Sequence, residues 1–301
     1  MYAVTGITGK VGSAVARSLL SAGKPVRAIV RSHARALVWS KLGCDVAIAD
    51  LADSRALTAA FEGTEGVFAM LPPVFDPAPG FPEARVFIES MRAARASASP
   101  RKVVALSTIG ADASQPNLLN SLALMEEAFR ALPLPVAFLR AAWFMENAAW
   151  DITSARNGNI QSYLQPLHRP FPMIATGDVG RTASALLQEN WVGQRVVELE
   201  SEQRVSPDKV AHAFARALAH PVRAQAVPRD HWESIFRAQG MKNPLPRMQM
   251  LDGFNAGWID FPNRGATARK GAIGIEEAVA ALVTEFFAFR AATELMRRHD
   301  G

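Results

Sequence analysis

At 301 residues the chain exceeds a typical single domain of roughly 100 to 200 residues, which predicts one large domain or a domain with an appended lobe. Hydrophobic residues make up 49% and charged residues 20%, a globular balance that argues against disorder except at the ends. The net charge of +5 comes from 33 basic and 28 acidic residues spread along the chain, so no dedicated nucleic-acid face is expected.

The elements run in chain order as alternating strands and helices. Val4 closes a short strand, and Val11, Val15, Leu19 and Leu20 share one face of a helix over Lys10 to Ala22 that stops at Gly23. Val26 to Val30 reads as a strand, Ala34 to Leu42 as a helix ending at Gly43, and Asp45 to Ala49 as a strand. Asp53 or Ser54 caps the next helix, which runs through Phe61 to Gly63. Gly66 to Leu71 is a strand, followed by a Pro-rich loop from Pro72 to Pro82 and a helix through Arg95. Val103 to Ser107 and Val136 to Leu139 are strands flanking a helix from about Leu118 to Ala131. Helices of this length between strands predict a doubly wound parallel sheet, the Rossmann α/β class.

Beyond Leu139 the pattern loosens. Gly158 to Pro172 has no sustained period, Val179 to Asn190 reads as helix, Arg195 to Leu199 as strand and Val222 to Val227 as strand. Ser206-Pro207 supplies a cap and first-turn proline for a helix through Ala219. The expected division is a dinucleotide-binding half over 1–150 and a smaller α+β substrate lobe over 151–301, packed on the first with some segments possible returns to its sheet. The lone Cys44 reads as a buried, inert thiol, and Arg297-Arg298-His299 as a solvated tail. No apolar run reaches the roughly 20 residues that span a bilayer, and no leader precedes the first strand, so a cytoplasmic protein off the membrane is expected.

The first turn carries the sharpest chemical signal. Gly6-Ile7-Thr8-Gly9-Lys10-Val11-Gly12 lies between a strand and a helix, where unsatisfied helix N–H groups can meet a pyrophosphate. Gly6 permits the turn, Gly9 clears the approach of the phosphates, and Gly12 lets the helix pack on the strand. That context predicts dinucleotide binding. Arg31 closes the second strand, where an acidic residue would accept from the ribose hydroxyls of NAD(H) and an Arg pairs a 2′-phosphate, so NADP(H) is favoured over NAD(H). The competing role of Arg31 is a solvated sheet edge. Asp50 and Leu51 follow the third strand, where Asp50 meets the adenine or serves as a turn residue. Met70 and Leu71 end the fourth strand, and Ser107 and Thr108 the fifth, on the side where such sheets hold ligands.

Taken together these residues resemble the NmrA-like branch of the atypical short-chain dehydrogenases, along nearly the whole chain. The resemblance rests on the glycine turn, Arg31, the stretch from Gly43 to Leu51, Ser107-Thr108-Ile109-Gly110, and above all Phe138-Leu139-Arg140-Ala141-Ala142-Trp143-Phe144-Met145-Glu146-Asn147, where Ala141 stands in place of the usual Pro. Gly177-Asp178-Val179-Gly180-Arg181 and Gly257-Trp258-Ile259-Asp260-Phe261 also look like family segments. It implies a reductase of quinone or azo compounds, or a redox-sensing regulator. It further implies that Arg140, Ala142 and Trp143 reach the nicotinamide end and that Phe144 and Asn147 wall a substrate pocket. Core packing is the competing role of Trp143 and Phe144.

The usual Tyr-x-x-x-Lys pair of short-chain dehydrogenases is absent, because Tyr2 and Tyr163 are followed four residues later by Gly6 and Leu167. Between Thr108 and Arg140 there is no Lys, Tyr or His, and Glu126 and Glu127 read as a solvated helix face. No catalytic residue is therefore assigned. Hydride delivery to a quinone needs no protein acid, since the hydroquinone anion takes its proton from water. The six histidines have no metal-ligand spacing, and neither hydrolase nor triphosphatase motifs occur. The expected function is reduction of a small quinone-like acceptor by NADPH; the alternative is a non-catalytic sensor that signals cofactor state to a protein partner.

Overall fold

The computed structural model describes residues 1–98 and 100–299, the side chains of 292–299 excepted, so those of Arg297, Arg298 and His299 lie outside the described residues. The first half alternates as β1 (Tyr2–Val4), α1 (Lys10–Ser21), β2 (Val26–Val30), α2 (His33–Lys41), β3 (Asp45–Ile48), α3 (Ser54–Phe61), β4 (Gly66–Ala69), α4 (Pro82–Ala98), β5 (Val103–Thr108), α5 (Asn120–Arg130) and β6 (Val136–Ala141). There follow β7 (Trp143–Phe144), a 3₁₀ segment (Met145–Asp151), α6 (Ile152–Ala155), β8 (Asn159–Ser162), β9 (Met173–Ile174), α7 (Thr176–Gln188) and β10 (Gln194–Ser201). The chain closes with α8 (Pro207–Leu218), β11 (Arg223–Ala226), α9 (Trp232–Ala238), α10 (Leu245–Ala256), β12 (Arg269–Gly271) and α11 (Ile275–His299).

Eight strands form one parallel sheet in the order β3-β2-β1-β4-β5-β6-β10-β12. Chain direction across the sheet reverses between β1 and β4, which opens a crevice at their carboxyl ends. Both faces of the sheet are covered, and successive strand residues feed opposite cores. On β6, Ala137 and Leu139 join Val4, Val15 and Leu186 on one side, while Val136 and Phe138 join Phe61, Met91 and Phe129 on the other. Continuous apolar strands such as Val103 to Leu106 are what a doubly covered parallel sheet requires.

Local signals account for the boundaries. Asp53 caps α3 by accepting from the Arg55 and Ala56 amides, both at 3.0 Å, and Ser206 caps α8 by accepting from the Lys209 amide at 3.2 Å. Smaller pairings complete the second half: β8 with β11, and β7 with β9, the latter in the register Trp143 to Met173 and Phe144 to Ile174. Cys44 is buried, and that burial pushes its thiol up.

One core residue is out of character. Arg95 on α4 is fully buried, and its Nε and Nη1 have no hydrogen-bond partner among the described residues. Its guanidinium lies 3.9 Å from the Phe129 ring centroid, and Nη2 reaches the Met91 sulfur at 3.6 Å. Burial pushes the group down to about 9. The ring contact recovers part of the desolvation cost but supplies no counter-charge. Arg95→Met keeps the length and removes the charge, so we expect it to raise stability by about 1 to 3 kcal/mol at pH 7. Calorimetry checks this. Because the folded value is depressed, the wild-type deficit is complete below about 9 and fades as pH climbs above it, so the gain must shrink there.

Candidate functional site

The glycine turn sits at the crevice between β1 and β4. Gly6 has φ +63°, and a Cβ there would stand 2.4 Å from the Met70 sulfur. A Cβ on Gly12 would stand 2.2 Å from the Gly6 carbonyl oxygen and 2.8 Å from the Ile7 Cα, so α1 lies directly on the turn. Gly9 caps α1 with extended backbone and no side-chain bond, leaving the helix N-terminus open, while Thr8, Gly9 and Lys10 are exposed and Ile7 and Val11 are buried. Such a terminus presents N–H groups and partial positive charge to an anion.

Thr5, fully buried, fastens the two strand ends together, a role the sequence did not signal. Its hydroxyl donates to the Phe68 carbonyl at 3.1 Å and accepts from the Met70 amide at 3.0 Å. Met70 and Leu71 are thereby brought against the turn, half-buried and buried respectively.

Arg31 follows β2 and is exposed, as are Ser32, His33 and Arg35. Neither arginine forms an ion pair among the described residues, and Ser32 caps α2 without a side-chain bond. Asp50 accepts from the Ala52 amide at 2.8 Å, a turn contact, with Leu51 half-buried beside it.

At the ends of β5 and β6 the side chains do something else. Ser107 and Arg140 are register partners, and both turn toward α5. The Ser107 hydroxyl donates to Glu126 at 2.6 Å, and Arg140 forks onto Glu126 at 2.9 and 2.8 Å, while its Nη1 reaches Asp112 at 2.6 Å. Arg130 adds a bond at 3.0 Å. The expectation of a solvated face is therefore corrected for Glu126, which is only 3% exposed; Glu127 is exposed. The cause is a buried arginine on the neighbouring strand. The Arg140 guanidinium, expected at the nicotinamide end, is committed to this network, and Thr108 is half-buried beside it.

Beyond β6 the chain builds a wall. Ala142 is buried, Trp143 and Phe144 are half-buried, and the Trp143 ring meets Phe254 edge-on with centroids 5.3 Å apart. Glu146 accepts from the Thr176 amide at 2.9 Å and from its hydroxyl at 2.7 Å, fixing the start of α7. The half-buried Asn147 amide has no hydrogen bond among the described residues. The loop after β4 crosses to this wall. Asp76 accepts from the Lys242 and Asn243 amides at 2.8 and 2.7 Å, and Phe75 packs edge-on against Trp150.

Asp151, at the end of the 3₁₀ segment and outside the Thr108 to Arg140 stretch, is a group that no sequence motif marks. Among the described residues its carboxyl makes no side-chain hydrogen bond, and burial pushes it up to about 7. A raised acid costs nothing below its unfolded value and costs in full above its folded one, so stability falls as pH rises from about 4 toward 7. Asp151→Asn should match wild type at pH 4 and exceed it at pH 8 by on the order of 2 kcal/mol after solvent screening. Denaturant melts at the two pH values check this.

Among the described residues no group of three or more His, Cys, Asp and Glu side chains is placed to hold a metal ion, and no helix is long and apolar enough to cross a membrane. A family comparison covers almost all of this arrangement: the model described as the NmrA-like family matches residues 2–286. The chain belongs to the NmrA-like family. It is 25% identical to the NAD(P)H azoreductase of Xenophilus azovorans, over 81% of this chain and 83% of that protein. It is 30% identical to quinone oxidoreductase 2 of Escherichia coli strain K12, over 82% and 85%. Two solved structures share the fold at TM-score 0.76 and 20% identity: the Citrobacter sp. triphenylmethane reductase complexed with NADP(H), over 93% of this chain and 99% of that one, and the Escherichia coli NADPH-dependent quinone oxidoreductase complexed with NADPH, over 95% and 100%.

Proposed function

We propose that this NmrA-like chain is an NADPH-dependent reductase of small quinone-like or azo acceptors. The observation that carries the reading is the open N-terminus of α1 at the β1/β4 crevice, formed on a turn too tight for any residue but Gly at position 12. A dihydronicotinamide bound there supplies the hydride. The chain's part is placement: the turn holds the pyrophosphate, Met70, Leu71 and Thr108 border the ring, and Trp143, Phe144 and Asn147 flank the acceptor. The Asn147 amide is free to donate to an acceptor oxygen or nitrogen. No Tyr-x-x-x-Lys pair is present, so the reduced acceptor takes its proton from water. The azoreductase and quinone oxidoreductase relatives support this acceptor class. Steady-state assays with NADPH and a panel of benzoquinones, naphthoquinones and azo dyes test it; no NADPH consumption above the uncatalysed rate with any of them overturns it.

Preference for NADPH rests on Arg31, with Arg35, Ser32 and the uncapped α2 terminus beside it, all exposed and free to meet a 2′-phosphate. Arg31→Ala should weaken NADPH binding roughly tenfold to a hundredfold, the worth of charge-assisted hydrogen bonds, and leave NADH binding within about twofold. Dihydronicotinamide fluorescence titrations read both. Equal losses for the two cofactors would remove Arg31 from the preference.

A further inference from the structure

Away from the glycine turn, a cavity of about 320 Å³ opens between the Arg169 to Pro172 segment, the end of α10 and the Ile259 to Arg264 turn. That is the volume of a small organic ligand. Its apolar walls include Phe171 and Phe254, and Phe254 is the ring that packs on Trp143.

The polar lining is unbalanced. Arg204 is held by Asp260 in a fork at 2.8 and 2.6 Å and by Glu200 at 3.1 Å, and Glu200 also receives Lys270 at 2.5 Å. Arg169 stacks 4.5 Å over Phe171 and donates to the Asn255 carbonyl at 2.6 Å and to the Phe254 carbonyl. Those neutral acceptors fix its plane and bring it no direct counter-charge. Arg264 is exposed, sits in left-handed backbone with φ +54°, and has no partner among the described residues. Three lining cations, Arg169, Arg204 and Arg264, thus meet one lining carboxylate, Asp260, while Glu200 behind Arg204 is shared with Lys270. Burial depresses the Arg169 guanidinium, the Asp260 carboxylate pulls it back up, and the Arg264 charge adds a smaller push down.

We propose that this cavity binds a small aromatic acid, a carboxylate or sulfonate, with its acid group between Arg264 and Arg169 and its ring against Phe171 and Phe254. Guanidinium groups suit planar, multidentate oxyanions, and the two rings supply a flat apolar contact. The proposal does not depend on the reductase reading.

Calorimetric titration of the full chain with naphthalene-2-sulfonate, and with the neutral naphthalene-2-sulfonamide of the same shape, tests it. The sulfonate should bind roughly tenfold or more tightly than the sulfonamide, and Arg264→Met, at an exposed position, should erase that difference with the melting temperature unchanged. Saturating NADPH should leave the sulfonate affinity within about twofold. Equal binding of the two probes, or an unchanged difference in Arg264→Met, overturns the proposal. Loss of sulfonate binding when NADPH is added also overturns it, because the anion then occupies the cofactor's phosphate site.

Discussion

Glu126→Ala is expected to cost about 3 to 5 kcal/mol of stability, enough to leave much of a marginally stable chain unfolded. The carboxyl is 3% exposed and receives the Ser107 hydroxyl, both prongs of Arg140 and one nitrogen of Arg130. Burial alone would push its value up; the bonds from Arg140 and Ser107 outweigh that and hold it below the ordinary carboxylate range. With Glu126 gone, the 8% exposed Arg140 keeps Asp112, on the surface, as its one ion-pair partner among the described residues. The penalty is the stranded charge, so Glu126→Ala combined with Arg140→Met should recover most of the loss. Chemical denaturation of the single and double variants decides; a double variant no better than the single would show that packing, and not charge, is what Glu126 provides. The depressed value also fixes a sign: this contribution is intact above the unfolded value of Glu, about 4.3, and is lost as pH falls through the folded one.

Gly12→Ala should abolish measurable NADPH binding, a loss of about a hundredfold or more, together with part of the fold's stability. The added methyl would fall 2.2 Å from the Gly6 oxygen and 2.5 Å from the Gly6 carbonyl carbon, backbone atoms that cannot turn aside. Either the turn or α1 must move, and both form the proposed cradle. Gly9→Ala separates the two effects. There a Cβ meets only the Gly6 oxygen, at 3.4 Å, and otherwise faces open space. If the pyrophosphate approaches over Gly9, this variant loses cofactor affinity while melting at the wild-type temperature. Titration calorimetry and thermal melts read the pair; full NADPH affinity in Gly9→Ala would move the phosphates elsewhere.

The first 140 residues were legible because their signals are local. Glycines 23, 43 and 63 stop helices at the expected places, all with positive φ, and apolar runs such as Val103 to Leu106 admit only covered strands. The second half depends on distant pairings. β8 finds β11 across more than sixty residues, β9 is two residues long, and β12 joins the main sheet beside β10 with exposed Arg269 and Lys270. No periodicity announces such strands. At the site, the glycine turn and Arg31 could be named from spacing. Glu126 could not be placed, because its partner Arg140 lies on another element and α5 offers no cue that one of two adjacent glutamates turns inward. Asp151 stands among Trp150, Ile152 and Thr153 with no motif around it, and only its enclosure distinguishes it.

On the proposed function, the chain places a dihydronicotinamide against an electron acceptor and needs no proton-relay pair to reduce it. Anaerobic single-turnover mixing of the protein with one equivalent of NADPH and excess benzoquinone, followed by the loss of dihydronicotinamide absorbance, tests it most directly. We expect consumption of NADPH and appearance of hydroquinone one for one, with deuterium at the transferred C4 position of the cofactor slowing the step. NADPH that binds but persists for as long as it does without protein would contradict the claim and leave cofactor binding without reduction.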